Sequence, residues 1–344
     1  MRLAATGHPL HTRALAVELR QRADGKMDIR GYVLDLRKRG FVPVAGDLQP
    51  SGIVHHMELF GVVDPATLVV ETLTSRQPSV AFEATATTEG ESCRDLAGRV
   101  DALGGTRLDV EWSRRLSAEI GGPRGCSHVL TLAQMLGPTV AWGIAHDREL
   151  HGPNAQRPTG QRIFRRDIIV DGLEPEDGRL ELAVQLIDLY DAPAPELARP
   201  MARFGGALEV RAQVLVDYRT YSITGLMAAE RWRGRDNLDA SWEDRTNDVS
   251  GLCGTFLHRG VTAAILQHLG PDGADRPLGT LLLQIAPAMI QVNAALSENW
   301  PAVALQQKWF VGMGGFADSC YMWRRGGPLE RARSPEDPPQ IGRS

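Results

Sequence analysis

The chain has 344 residues, 43 % of them apolar and 23 % charged, with a formal net charge of −4. That length is long for one domain and comfortable for two. The balance excludes the concentrated basic face of a nucleic-acid binder, and four scattered cysteines without CxxC spacing exclude a secreted disulfide scaffold in favour of reduced thiols in a cytoplasm.

The first twenty residues have no continuous apolar core, so no signal peptide is expected. Asp24-Gly25 is a favoured hairpin turn and opens an alternating strand, Met27 to Leu36. The run IVHHMELFGVV is a second alternating strand. It puts His55 on the face of Met57 and Leu59, and His56 on the opposite face with Glu58. His55 is the candidate pocket base, and His56 a candidate substrate contact. A third strand is expected in LVVETLTS, after Asp64. Cys93 opens a helix-like segment, Glu91 to Leu103.

Gly121 to His128 (GGPRGCSH) brings a cysteine and a histidine to the point where a glycine-rich turn meets an apolar helix. Helix starts offer free N–H groups and positive potential, which favour a thiolate or an anion, so the Cys126 pKa is expected to fall. The stripe Val129, Leu132, Ala133, Leu136 faces the core with His128 at its border, and Gly137-Pro138 should end the helix. His146 and His151 would then lie in an exposed polar loop.

The pattern then repeats. Asp177-Gly178 opens a strand whose Leu180, Leu182, Leu186 and Asp188 answer Met27, Ile29, Val33 and Asp35 at an offset of 153. Asp217 answers Asp64 ahead of TYSITGLM, Arg259-Gly260 answers Arg124-Gly125, and Leu269-Gly270-Pro271 answers Leu136-Gly137-Pro138. Copy two lacks the cysteine and histidine, so copy one is expected to carry the site. The counterpart of Asp35 in the copy without that site argues for a structural role. Leu278 to Leu296, interrupted by Gln284, Pro287, Gln291 and Asn293, reads as a buried helix and not a membrane span. KWFVGMGGFADSCYMW (308–323) should fold back on the body, with Lys308 and Trp309 as substrate contacts. The expected fold is α+β: a first repeat over 1–150, a degenerate second repeat over 151–275, a helical aromatic extension over 276–325 and a loose tail over 326–344, the repeats forming one body.

No GxSxG, GxGxxG after a strand, GxxxxGK[ST] or HExxH motif is present, which disfavours serine hydrolases, dinucleotide enzymes, P-loop enzymes and zincins. At His55-His56-Met57 and Gly121 to Leu130, with Asp24-Gly25 and Cys93, the chain resembles a bacterial family of unassigned function over roughly residues 12–150. Members tend to occur in bacteria that degrade aromatic compounds and steroids, so the resemblance implies a catabolic role on hydrophobic small molecules. The order of strands, cysteines and helices also looks like NifU-type iron–sulfur scaffold proteins, although the glycine-flanked first cysteine of that group is missing.

The reading that follows is an acid/base lyase without a cofactor, releasing a small aldehyde from an aromatic substrate by retro-aldol cleavage. His55 or His128 would be the base and Cys126 the acid or anion stabiliser. Two alternatives stand beside it: a metal or iron–sulfur protein using Cys93, Cys126 and His128, and a non-catalytic binder of small molecules. The expected partner is a hydrophobic or aromatic small molecule, not nucleic acid or membrane, and a homodimer is allowed.

Overall fold

The computed structural model describes residues 7–40, 42–44, 47–174, 179–195, 199–217, 219–257, 260–296 and 317–332. Strands β1 (His8–Gln21) and β2 (Met27–Arg37) form the hairpin expected at Asp24-Gly25, where Gly25 turns the chain with φ +81°. A two-stranded ribbon, β3 (Val42–Val44) and β4 (Asp47–Gln49), leads to β5 (Gly52–Val63) and β6 (Val69–Ser79). After the helices come β8 (Arg162–Glu174), β9 (Leu180–Asp191), β10 (Phe204–Asp217) and β11 (Ser222–Arg233). Two-residue strands, β7 (Thr106–Arg107) and β12 (Glu243–Asp244), close the edges.

All but the ribbon join one antiparallel sheet in the order β12-β11-β10-β9-β8-β1-β2-β5-β6-β7. The two four-stranded halves meet where β1 pairs with β8. Between the halves, β2 and β9 begin 153 residues apart, and so do β6 and β11. Alternation is plain along β2, where Met27, Ile29 and Val33 are buried while Asp28 and Arg30 are not.

Helices cover the buried face of the sheet. Asp109 caps α1 (Val110–Ile120) by accepting from the Glu111 N–H at 2.8 Å, and Trp112 Nε1 donates to the Ala133 carbonyl at 2.9 Å, fixing α1 on α2 (Ser127–His151). Short turns α3 (Pro200–Arg203) and α4 (Thr246–Val249) precede α5 (Val261–Asp275), α6 (Pro277–Leu282) and α7 (Ile285–Ala295). A Cβ at Gly143 of α2 would run into the Phe164 ring, and one at Gly172 of β8 into Val292 of α7, so these glycines let helix and sheet approach closely. Pro277–Ala295 is apolar and long enough to cross a membrane (mean hydropathy 1.4), but 61 % of it is buried inside the fold.

Several local expectations are corrected. The helix α2 does not stop at Gly137-Pro138 but runs through Pro138 to His151. Its buried stripe continues through Thr139, Val140, Gly143, Ile144 and Asp147, and that packing outweighs the one N–H that proline lacks. His146 therefore sits on the helix, stacked on Trp142 at 4.8 Å, and His151 Nδ1 donates to Asp147 at 3.0 Å. The second Gly-Pro does break its helix, at Gly270 (φ 72°). The segment after Cys93 is turns followed by a 3-10 helix, Ala97–Leu103. Where a loose tail was expected, Pro328–Ala332 forms a short helix, α8, and Leu329 is buried in a small cluster with Met322 and Trp323. Asp177-Gly178, Arg259, Lys308 and Trp309 lie outside the described residues.

Candidate functional site

The core face of the sheet changes character at one end of its first half. In β1 that face reads His11, Arg13, Leu15, Val17, Leu19; in β2 it reads Ile29, Gly31, Val33, Asp35, Arg37; in β5 it reads His55, Met57, Leu59. Antiparallel register sets His11 opposite Arg37, Arg13 opposite Asp35, and Asp35 opposite His55. Five polar side chains are thereby stacked across three neighbouring strands. The start of α2 lays Cys126 and His128 over them.

Asp35 is the centre, fully buried. Its carboxylate accepts from His11 Nε2 at 3.0 Å and from Arg13 Nη1 at 2.9 and 3.2 Å. His128 Nε2 lies 3.2 Å from Oδ2 and His55 Nδ1 lies 3.4 Å from it, the latter without hydrogen-bond geometry. The rings of His55 and His128 stack with centroids 3.7 Å apart and 26° between their planes. His128 Nδ1 faces the Cys126 thiol at 3.9 Å, and Gln291 of α7 reaches His128 Nε2 at 3.4 Å. Carboxylate, imidazole and thiol thus form one connected chain.

Burial alone would raise the Asp35 carboxyl, but the Arg13 guanidinium, helped by His11, His128 and His55, holds it well below the usual carboxylate range. Burial and the neighbouring His55 push His128 down to about 3, and burial lowers His11 as well. Both imidazoles are therefore neutral in the folded protein. Cys126 contradicts the expectation of a thiolate. It is the N-cap of α2, and burial pushes its thiol up to about 11. Desolvation of the anion outweighs the attraction of the helix start. The site therefore offers a protonated thiol, an acid, next to a neutral imidazole.

These pKa directions fix how stability responds to acid. The unfolded chain protonates its histidines near 6.5, whereas His128 resists a proton down to about 3. Stability is expected to fall as pH drops below about 6.5, by up to about 1.4 kcal/mol per pH unit for each such histidine. The lowered Asp35 acts in the same direction: its contribution is full above the unfolded carboxyl range and is lost as pH falls through its folded value. Denaturant unfolding between pH 7 and pH 4.5 measures the slope, and His128→Gln should flatten it. A variant with an unchanged slope would show that His128 takes up its proton as readily folded as unfolded.

His55, Cys126, His128 and Cys93 line a cavity of about 820 Å³. Its wall is largely apolar, with Met57, Phe82, Met289, Ile290, Met322 and Trp323. Tyr321 donates its N–H to the Gly125 carbonyl at 2.9 Å, tying the aromatic segment to the turn before α2. His56 is on the other face of the sheet, 3.8 Å from Glu58, and does not line the cavity.

The candidate metal set Cys93, Cys126 and His128 does not converge. Among the described residues, the ligand atoms that lie within 4.8 Å of one another are those of Asp35, His55 and His128. Arg13 already neutralises the carboxylate, which weakens its pull on a cation.

His11, Arg13 and Arg37 escaped the sequence reading. Their signal was present: each sits at an even spacing from apolar core positions of its own strand. Asp35, read as structural from its counterpart Asp188, has both characters. Asp188 accepts from Arg166 at 2.6 and 2.7 Å, both residues being fully buried, as Asp35 accepts from Arg13. Among the described residues, only Asp35 adds histidines.

Residues 11–141 match the family model described as protein of unknown function, DUF2889. No curated protein matches the chain. The matched span begins at His11, ends inside α2 and contains every member of the polar cluster, whereas Arg166 and Asp188 lie beyond it. A family of unassigned function is thus the relationship supported for the half that bears the site.

Proposed function

We propose that the protein is a lyase acting on a hydrophobic, aromatic small molecule, cleaving a C–C bond in retro-aldol fashion and releasing a small aldehyde. The observation that carries this reading is the chain Asp35, His55, His128 and Cys126 at the wall of an apolar cavity. A β-hydroxy carbonyl compound, or its vinylogous equivalent, fits the geometry. His55, its Nδ1 turned to Asp35, has Nε2 left for a substrate hydroxyl. It removes the O–H proton, the oxygen becomes the aldehyde carbonyl, and the C–C bonding pair passes to the carbonyl-conjugated carbon as an enolate. The Cys126 thiol returns a proton to that carbon. His128 links thiol to carboxylate and carries the proton balance back. Acid and base both come from side chains, so the step calls for no cofactor.

The catabolic setting implied by the resemblance to proteins of aromatic- and steroid-degrading bacteria suits this chemistry. We also infer that the two halves of the chain descend from one repeated unit. The 153-residue spacing of β2/β9 and β6/β11, together with the Arg13–Asp35 and Arg166–Asp188 pairs at the same spacing, supports that inference. In the second half Phe164, Tyr190 and Leu208 stand where the first has His11, Arg37 and His55, which leaves the frame without the site.

The test is aldehyde release. Purified protein incubated with aryl β-hydroxy carbonyl compounds, with no cofactor added, should liberate one aldehyde per substrate. Cys126→Ala should slow turnover by about tenfold or more while Cys126→Ser keeps part of it, since a hydroxyl can still donate. Failure of the whole compound series to release aldehyde rejects the lyase. Elemental analysis reads the metal alternative on Asp35, His55 and His128 directly, because a stoichiometric ion would replace acid/base chemistry with coordination.

A further inference from the structure

Arg37 ends β2 on the core face and is 2 % exposed. Its Nη1 donates to the Gln49 carbonyl at 3.2 Å, and among the described residues its buried Nε has no partner and no carboxylate pairs with it. It lines the same cavity, and none of the described lining residues is acidic. The charges at this end of the cavity do not cancel. Arg13 and Arg37 bring two cations, Asp35 brings one anion, and Arg13 already holds it. Among the described residues one guanidinium remains buried and uncompensated, a costly arrangement unless something else brings the opposite charge.

We propose that the cavity takes an aromatic carboxylate, with its carboxylate held by Arg37 and its ring among the apolar wall residues. This names the substrate class for the site described above and rests on the same cavity. Burial lowers the Arg37 guanidinium to about 10, so it is still charged at neutral pH and stays a cation for the ligand to meet. The planar fork of an arginine suits a carboxylate, which accepts two parallel N–H bonds. A phenol would arrive uncharged at neutral pH and leave the guanidinium uncompensated. Placing the anion at Arg37 orients the substrate, because Arg37 lies opposite His11 in the β1–β2 register and two residues from Asp35. The reacting carbon would then sit toward His55 and Cys126, away from the anchored end.

Calorimetric titration at pH 7.5 tests the assignment with 3-phenylpropanoate, cinnamate and 2-naphthoate, each beside its primary amide and a phenol of similar size. Each acid that binds should do so at least about tenfold more tightly than its amide and its phenol, the scale of one charge-assisted hydrogen bond. Arg37→Gln should abolish that preference and Arg37→Lys should retain part of it. If Arg37→Gln does not fold, the wild-type comparison of acids with amides decides alone. The assignment is overturned if no acid in the series outbinds its amide, if phenols bind best, or if the preference survives in Arg37→Gln. The readout separates it from the lyase reading. Acid-selective binding without aldehyde release keeps Arg37 in its role and rejects the lyase; aldehyde release without acid preference does the reverse.

Discussion

Asp35→Asn should unfold about 3–5 kcal/mol more easily than the wild type. Among the described residues, Asp35 is the sole anion beside two buried guanidinium groups and three imidazoles. Removing one partner of a buried ion pair strands the other, which costs far more than the pair contributes when intact. Since whole proteins are stable by about 5–15 kcal/mol, the loss is large enough to show in any denaturant titration. Asp188→Asn is the matched control, because Arg166 loses a bidentate partner of equal burial. Both variants should lose stability on the same scale. Turnover per folded molecule should collapse only for Asp35→Asn, where His55 and His128 lose the group that orients them. An Asp35→Asn protein with a wild-type unfolding midpoint would show that Arg13 is compensated elsewhere and that the centre of the cluster has been misassigned.

The contrast between these two aspartates also shows what could be read from the sequence. Alternation gave the β1–β2 hairpin after Asp24-Gly25, the faces of His55 and His56, and the buried stripe of α2, because each depends on residues within one element. His11, Arg13 and Arg37 become site residues only through pairing. The alignment of Arg13 with Asp35 and His55 is set by strand order and turn length across 43 residues, and no single strand contains it. The thiol shows the same limit for energetics. A helix start argues for a lowered pKa, yet burial under α7 and the Cys320–Trp323 segment is a tertiary event of larger size. Gly137-Pro138 misled for a related reason. The local signal to stop is real, but a helix already packed against Trp112 and the sheet continues through it.

Separate replacement of the two stacked histidines should reduce kcat by about a hundredfold or more in each case, the usual scale for a positioned acid or base. The variants His55→Gln and His128→Gln preserve volume and a hydrogen-bonding amide, so loss of stability can be measured apart from loss of rate. The pH profile then assigns roles. His128 loses its proton at about 3, so if it were the base the acidic limb of kcat/KM would lie in that region. A limb well above that region would belong to another group and should persist in His128→Gln. The two effects should not add. A double variant losing little more than either single one is the signature of groups acting as one unit, as the 3.7 Å stacking and the shared carboxylate require. Full additivity would mean that each ring acts alone, and near-wild-type turnover in both single variants would remove acid/base catalysis from this cavity altogether.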